Sequence, residues 1–186
     1  MNITIAELSP FHFDQVIEIG NLVHGDNYLD LATLEKIYRY SIKQDINASF
    51  VALENQRVIG FRLTYAPDQW PMDEWCSTHL WPAEKQHVSY FKSSTIIESA
   101  RGNGLGGQLL QASITALKKQ GAKGGVCHIW QQSPGNAAFK YFSKAGGKTI
   151  KIHPDRWLKD CIDFGYSCTL CGSECHCDAV EMFLEF

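Results

Sequence analysis

The run Arg101-Gly102-Asn103-Gly104-Leu105-Gly106-Gly107 links a β-rich segment ending at Ser99 to an amphipathic stretch marked by Leu105, Leu109, Ile114 and Leu117. A strand, a glycine-rich turn and a helix in that order make an anion cradle. Glycine tolerates positive φ and lets a ligand approach the backbone closely. The first amides of the helix have no partner within it, and its dipole favours negative charge there. Arg101 adds a cation at the mouth. The charge pattern around this turn agrees. No acidic residue lies between Glu98 and Asp155, whereas Arg101, Lys118, Lys119, Lys123, Lys140, Lys144, Lys148 and Lys151 do. The chain has 17 lysines and arginines against 20 acids, so these eight leave nine basic residues facing every acid elsewhere. The chemistry implied is the binding of a ligand with several phosphates.

A second cluster is Cys168-x-x-Cys171-x-x-x-Cys175-x-Cys177, with Gly172 available for a tight turn. A C-x-x-C knuckle bends the chain so that both sulfurs face one ion, and four thiolates close a tetrahedral Zn²⁺ site. Four protein ligands leave no open position, so such a site is structural. His176 and Cys161 are substitute ligands. Free or redox-active thiols and an iron–sulfur cluster are the other readings of the same spacing.

These groups need a scaffold. Asn2 to Leu8 reads as a strand, and a helix starts at Ser9-Pro10 and carries Phe13, Val16, Ile17, Gly20 and Val23. Gly25-Asp26-Asn27 ends it. Leu34, Ile37, Tyr38, Ser41 and Ile42 mark a second helix. Ala48–Glu54 and Val58–Ala66 are β-rich runs joined by a hairpin turn at Asn55-Gln56-Arg57. Residues 67–87 form a long aromatic loop with Trp70, Trp75 and Trp81. Val88–Ser99 is a strand, followed by the glycine turn and its helix. Gly124–Gln131 is a strand, Pro134–Ala145 a helix closed by Gly146-Gly147, and Lys148–His153 and Val180–Phe186 are strands. The order is β-α-α-β-β-β-α-β-α-β-β, an α/β (α+β) fold with mixed strand directions.

The totals set limits. The 186 residues suit one domain, with a Cys-rich C-terminal hairpin at about 161–178. Nothing approaches the length of a membrane span, and the N-terminus lacks the pattern of a secretory signal. A cytoplasmic protein with reduced or metal-bound cysteines is expected. The net charge of −3 argues against nucleic acid as a partner. Oligomeric state is not readable.

Gly102, Gly104 and Gly107 satisfy G-x-G-x-x-G, the dinucleotide fingerprint. The acid expected about 20 residues on to hold a ribose hydroxyl is missing, which weakens a nicotinamide-dependent oxidoreductase. Arg101, Gly104 and Gly106 instead fit Arg/Gln-x-x-Gly-x-Gly/Ala. With that motif and the strand order, the chain resembles the GNAT acetyltransferase superfamily. The resemblance covers Asn2 to about His153 and the terminal strand. It implies a mixed, largely antiparallel sheet flanked by helices on both faces. Acetyl-CoA would be the cosubstrate, its pyrophosphate held by backbone amides of Arg101, Gly102, Asn103, Gly104, Leu105, Gly106 and Gly107. The family splays its fourth and fifth strands around the acetyl-pantetheine arm, so backbone groups of Ile96 and Ile97 would pair with the pantetheine amides. Asn136 would touch the cofactor; the other reading of it is a helix cap only.

One departure stands out. The family's tyrosine, which often protonates the leaving thiolate, aligns with Ser143 or Phe142 depending on the anchor chosen, and Tyr141 is one residue away. A phenol near pKa 10 suits that step, so Tyr141 is the candidate acid. Glu98 at the strand end is the candidate base, and His128 is another. Two segments compete to wall the acceptor pocket: the aromatic loop, with Asp68, Asp73 and Glu74 attracting a cation, and Gly25–Leu29. The function implied is direct transfer of an acetyl group from acetyl-CoA to a primary amine. The alternative is a non-catalytic acyl-CoA-binding or regulatory domain on the same fold, to which the displaced tyrosine lends weight.

Overall fold

The computed structural model describes residues 3–186. Asn2, read as the start of the first strand, lies outside the described residues. In chain order the elements are β1 (Ile3–Glu7), α1 (Phe13–His24), α2 (Leu31–Ser41), β2 (Ile42–Lys43), β3 (Ile46–Asn47), β4 (Phe50–Glu54), β5 (Arg57–Tyr65), β6 (Val88–Ile96), α3 (Leu105–Lys119), β7 (Gly124–Trp130), α4 (Ala137–Lys144), β8 (Lys148–His153), α5 (Leu158–Phe164) and β9 (Ala179–Glu185). Among the described residues, seven strands form one sheet in the order β1-β4-β5-β6-β7-β9-β8. Every neighbouring pair is antiparallel except β6 and β7.

The expected elements are present, with additions. Asn55 and Gln56 both take positive φ (49° and 66°), which gives the β4–β5 hairpin a twist compatible with its strands. The short β2–β3 hairpin and α5 were not foreseen. The segment read as a strand through Ser99 leaves the sheet after Ile96 and turns through a short 3₁₀ helix at Glu98–Ala100.

The sheet has helices on both faces because its strands alternate. Val51, Val58, Phe61 and Leu63 pack with Val16, Leu34 and Ile37 from α1 and α2. Ala52 and Ile59 meet Leu105 and Leu109 of α3 on the other face, and Phe91, Cys127 and Met182 meet Leu110, Leu117 and Phe142 there. Each fully buried leucine contributes about 1.5–3 kcal/mol, so α3 is anchored firmly along its length. The face of β7 and β9 beyond α1 and α2 is covered by the 67–87 loop, where Trp70 and Trp81 pack on Val88, Val126 and Phe183.

Candidate active site

The parallel pairing of β6 and β7 is short. It runs over Val88–Gly124, Ser89–Gly125 and Tyr90–Val126 and then stops, although both strands continue. The break coincides with a β-bulge. Opposite β5, Ser93 faces Leu63 and Phe91 faces Thr64, so Lys92 is the extra residue. A bulge bends its strand and increases its twist, and the two strands diverge. Between them opens a cavity of about 510 Å³. It is lined by Arg62, Ser94, Cys127 and Tyr141, and by Lys92, His24 and Tyr28.

α3 begins where β6 leaves the sheet. Gly104 is its N-cap in the left-handed region (φ 73°), and Gly102 is left-handed too (φ 83°). A Cβ on Gly102, Gly104 or Gly107 would meet nothing within 4 Å, so this backbone faces open space. The amides of Leu105, Gly106 and Gly107 open the helix without helical acceptors. Asn103 is exposed, and its Nδ2 donates to the Ala100 carbonyl (3.3 Å). Arg101 is exposed, and its Nε donates to the Ile96 carbonyl (3.1 Å). These residues fit a diphosphate. The wider basic window contributes less than its count suggests. Lys118 and Lys119 end α3, about 20 Å from its start at 1.5 Å per residue. Lys148 and Lys151 lie on β8, the edge strand. Only Arg101 and the lysines of α4, which packs on α3, belong to this region.

The two isoleucines differ. Ile97 has both backbone groups engaged: its N–H donates to Ile59 (3.0 Å) and its carbonyl accepts from Ala100 (3.0 Å). Antiparallel alternation turns the backbone of Ile96 and Ser94 toward the gap, and of Ile96 the carbonyl already accepts from Arg101 Nε. Glu98 is exposed on the 3₁₀ turn and does not line the cavity. Asn136 is left-handed (φ 47°) at the N-cap of α4, and its Oδ1 is buried without a partner.

Tyr141 lines the cavity, with its ring over Gly106, 3.5 Å from where a Cβ would sit. Phe142, the alternative alignment, is buried against Phe91 and Gly147. The hydroxyl of Tyr141 accepts a hydrogen bond from Nη2 of Arg62. Arg62 was not singled out from the sequence. It is 2% exposed and makes no ion pair among the described residues. Its guanidinium lies over the rings of Phe91 and Tyr141, at 5.2 and 5.6 Å. A buried cation is normally compensated by an anion. The signal was available: a lone charge inside the apolar run Val58–Ala66. Arg62 Nε, Ser133 Oγ, Trp130 Nε1 and Arg156 Nε, all on residues lining the cavity, are buried without partners. Buried polar groups are nearly always satisfied, and a polar guest in the cavity would offer such atoms partners.

On the α1–α2 side, Tyr28 donates to Ser93 Oγ (2.6 Å) and His24 Nε2 pairs with Thr95 Oγ1 (2.7 Å). Burial, with Arg101 and Lys92 nearby, pushes His24 down to about 4. Lys92 meets solvent through the cavity but is ringed by protein, and that desolvation lowers its pKa. His128 also lines the cavity. Its Nε2 faces the Trp75 carbonyl (2.8 Å) and must donate, so Nδ1 accepts from the Tyr90 hydroxyl (2.9 Å). Burial pushes His128 down to about 4, leaving a weak base.

Of the two competing acceptor walls, His24, Asn27 and Tyr28 line the cavity and the tryptophans of the 67–87 loop do not. The loop's acids are used elsewhere: Asp73 pairs with Arg156 (3.5 Å) and Glu74 with Lys159 (3.9 Å). The loop is pinned by buried Glu181, which accepts from Ser77 N (2.9 Å), Trp81 Nε1 (2.8 Å) and His153 Nε2 (2.9 Å). Burial alone would raise the Glu181 pKa, but these hydrogen bonds outweigh it and hold the carboxylate ionised.

The four cysteines converge. The sulfurs of Cys168, Cys171, Cys175 and Cys177 all lie within 4.8 Å of one another. His176 instead points to Asp155 (2.8 Å), and Cys161 packs beside the group. No helix among the described residues is long and apolar enough to cross a membrane.

Comparison with known proteins agrees with this geometry. The profile of the Acetyltransferase (GNAT) family matches residues 14–146. Among solved structures, an N-acetyltransferase from Staphylococcus aureus Mu50 superposes with a TM-score of 0.70 at 18% identity, covering 100% of this chain and 99% of that one. The ribosomal-protein-S18-alanine N-acetyltransferase of Escherichia coli gives 0.67 at 16%, covering 99% and 94%. A GNAT family acetyltransferase from Elizabethkingia anophelis, solved with acetyl-CoA bound, gives 0.63 at 20%, covering 100% and 99%. No curated protein matches the sequence.

Proposed function

The chain belongs to the acetyltransferase (GNAT) family, and from that membership we propose that it transfers an acetyl group from acetyl-CoA to a primary amine. One observation carries the reading: the glycine-opened N-terminus of α3 stands beside a cavity formed where β6 and β7 part. The acetyl-CoA bound in the Elizabethkingia anophelis relative supports the same cosubstrate here. The amides that open α3 would hold the diphosphate, with Arg101 beside them. The pantetheine arm would run into the gap, where Ile96 and Ser94 turn their backbone groups.

Cosubstrate and amine would enter from opposite faces, the amine past His24 and Tyr28. Attack is direct: the neutral amine adds to the thioester carbonyl, the carbon–sulfur bond breaks, and the thiolate leaves with a proton. Tyr141 supplies that proton. Arg62 donates to its oxygen, so the hydroxyl hydrogen is free to point into the cavity. The amine proton passes to water, since Glu98 stands outside the cavity and His128 is a weak base. Positioning supplies most of the acceleration. Lys92 has no ion pair among the described residues and lines the cavity near the amine's path, which favours an acceptor bearing an anionic group over a purely cationic one.

The test is thiol release from acetyl-CoA with a panel of primary amines that includes amino acids, alongside direct measurement of CoA binding. Amine-dependent thiol release is expected. Tight CoA binding with no turnover on any amine would favour the non-catalytic binding domain, and no CoA binding at all would remove the reading.

A further inference from the structure

We propose that Cys168, Cys171, Cys175 and Cys177 bind one zinc ion, and that this ion holds the wall of the cavity on its α1–α2 side. Four Zn–S bonds of about 2.3 Å at tetrahedral angles place the sulfurs about 3.8 Å apart. The four sulfurs already lie within 4.8 Å of one another, with Cys171 and Cys177 at 3.4 Å. None is in a disulfide. Cys168, Cys175 and Cys177 are buried while Cys171 is exposed, so the cluster sits at the surface of the fold.

The turn around the first pair is shaped for a metal. Cys168 and Gly172 exchange backbone hydrogen bonds (2.9 and 2.8 Å). Gly172 takes a positive φ of 76°, which lets the chain reverse within five residues. The amide of Leu170 donates to the sulfur of Cys168 (3.5 Å), and such a bond stabilises a thiolate over a thiol. A tetrahedral all-sulfur set selects zinc or iron among common ions. Between α5 and β9 the chain forms no helix or strand among the described residues, only that single bridge, and Leu170 is exposed.

The segment also reaches the cavity. Tyr166 donates its hydroxyl to the carbonyl of His24 (3.1 Å). The Ser167 carbonyl lies 2.1 Å from where a Cβ on Gly25 would stand, so only glycine admits this contact. Cys168 and Cys175 themselves line the cavity, with Tyr166 and Phe164. A metal that fixes residues 165–177 therefore fixes the wall facing His24 and Tyr28. The zinc assignment is independent of the reaction. Only the description of this wall as the acceptor's rests on the transferase reading.

The experiment uses the full chain, purified without a histidine tag and under reducing conditions. Elemental analysis is expected to give one zinc per chain. Exchange with Co²⁺ should produce the thiolate-to-cobalt charge-transfer bands of a tetrahedral all-sulfur site. Cys171→Ser, at the exposed ligand, should lower zinc occupancy at least tenfold. A chain that stays metal-free after zinc is supplied, that carries iron instead, or whose four cysteines are found as disulfides overturns the zinc assignment. Hydrogen exchange tests the wall without needing turnover. Chelation should raise exchange at least tenfold in residues 24–28 and 165–170 and leave 101–110 unchanged. Unchanged exchange at 24–28 in zinc-stripped protein overturns the second half of the proposal.

Discussion

Gly104 and Gly121 separate the cradle from the fold. Both take positive φ (73° and 85°), and a Cβ on either would meet nothing within 4 Å. Gly104 begins α3 and Gly121 lies just past its end. Replacing either with alanine forces an L-residue into the left-handed region, at about 1–2 kcal/mol. At roughly 2.1 cal/mol/K of unfolding entropy per residue, that lowers Tm by about 3–5 °C for a chain of this length. The two variants should therefore melt alike. They should not bind alike. If the diphosphate rests on this turn, the methyl of Gly104→Ala occupies its space and weakens a hydrogen bond to a charged oxygen. Such bonds are worth about 1.5–3 kcal/mol, so affinity for CoA should fall about 10- to 100-fold. Gly121→Ala should bind CoA within about twofold of the parent. Thermal denaturation gives the first comparison and isothermal titration with CoA the second. Equal affinities in two equally destabilised variants would refute the cradle.

Three further outcomes follow from the cavity. Arg62→Met exchanges an uncompensated buried cation for an apolar chain of similar length, a change that is often neutral or stabilising. Its Tm should match or exceed the parent's while acetyl transfer falls at least about tenfold, as read by thiol release. A large loss of Tm would make the guanidinium structural. Tyr141→Phe should lower kcat about 100-fold, within the usual range for a general acid, and leave both KM values within about threefold. An unchanged kcat would remove Tyr141 from proton transfer. His24 and His128 are both pushed down to about 4, chiefly by burial. They stay neutral in the fold but gain a proton near 6.5 once unfolded, so their contribution is complete above 6.5 and drains as pH falls toward 4. Two protons set a ceiling of about 2.7 kcal/mol per pH unit, and partial solvent contact in the cavity reduces this to about 2. Urea unfolding between pH 7 and 5 checks the slope, which His24→Gln should roughly halve. A flat profile would contradict the burial of both rings.

Periodicity exposed the long elements because they pack one apolar face, as α3 does with Leu109, Leu110 and Leu117. α5 escaped because its pattern is poor: only Cys161 is buried, while Ile162 and Phe164 are 70% and 75% exposed. The tryptophan loop looked like a pocket wall because aromatic density does not say which surface it covers. Here it covers the part of the β7–β9 face that carries Val126 and Phe183. The glycine turn was legible in full, since glycine spacing bears directly on backbone angles. The charge argument around it was weaker than its count, because helical rise carries Lys118 and Lys119 to the far end of α3. The bulge at Lys92 left no trace in sequence. Its position depends on strand register, which is set by the partner strand. Ile97 was misjudged for the same reason: its amide is bonded to Ile59, on β5.

Arg62 and the displaced tyrosine explain each other. On the alignment anchored at Ala138 and Gly146, Phe142 occupies the helix position where the family pattern places its tyrosine, and it is locked in the core by Phe91. Moving the phenol back one residue turns it about 100° around α4. At that angle Tyr141 loses the orientation of the pattern but gains Gly106 beneath its ring and Arg62 at its hydroxyl. A phenol without a fixed partner would sample several rotamers. One whose oxygen accepts from a buried guanidinium has its remaining hydrogen aimed by elimination. The arginine in turn lies in an apolar strand with no anion beside it among the described residues, and an acyl donor in the cavity would bring carbonyl oxygens and, at the mouth, phosphates as acceptors. Replacing either residue alone should therefore cost nearly as much activity as replacing both. In the double variant Arg62→Met, Tyr141→Phe, the loss in kcat/KM should fall well short of the product of the two single losses. Fully multiplicative losses would mean that the two side chains act separately, and that the tyrosine's displacement has some other cause.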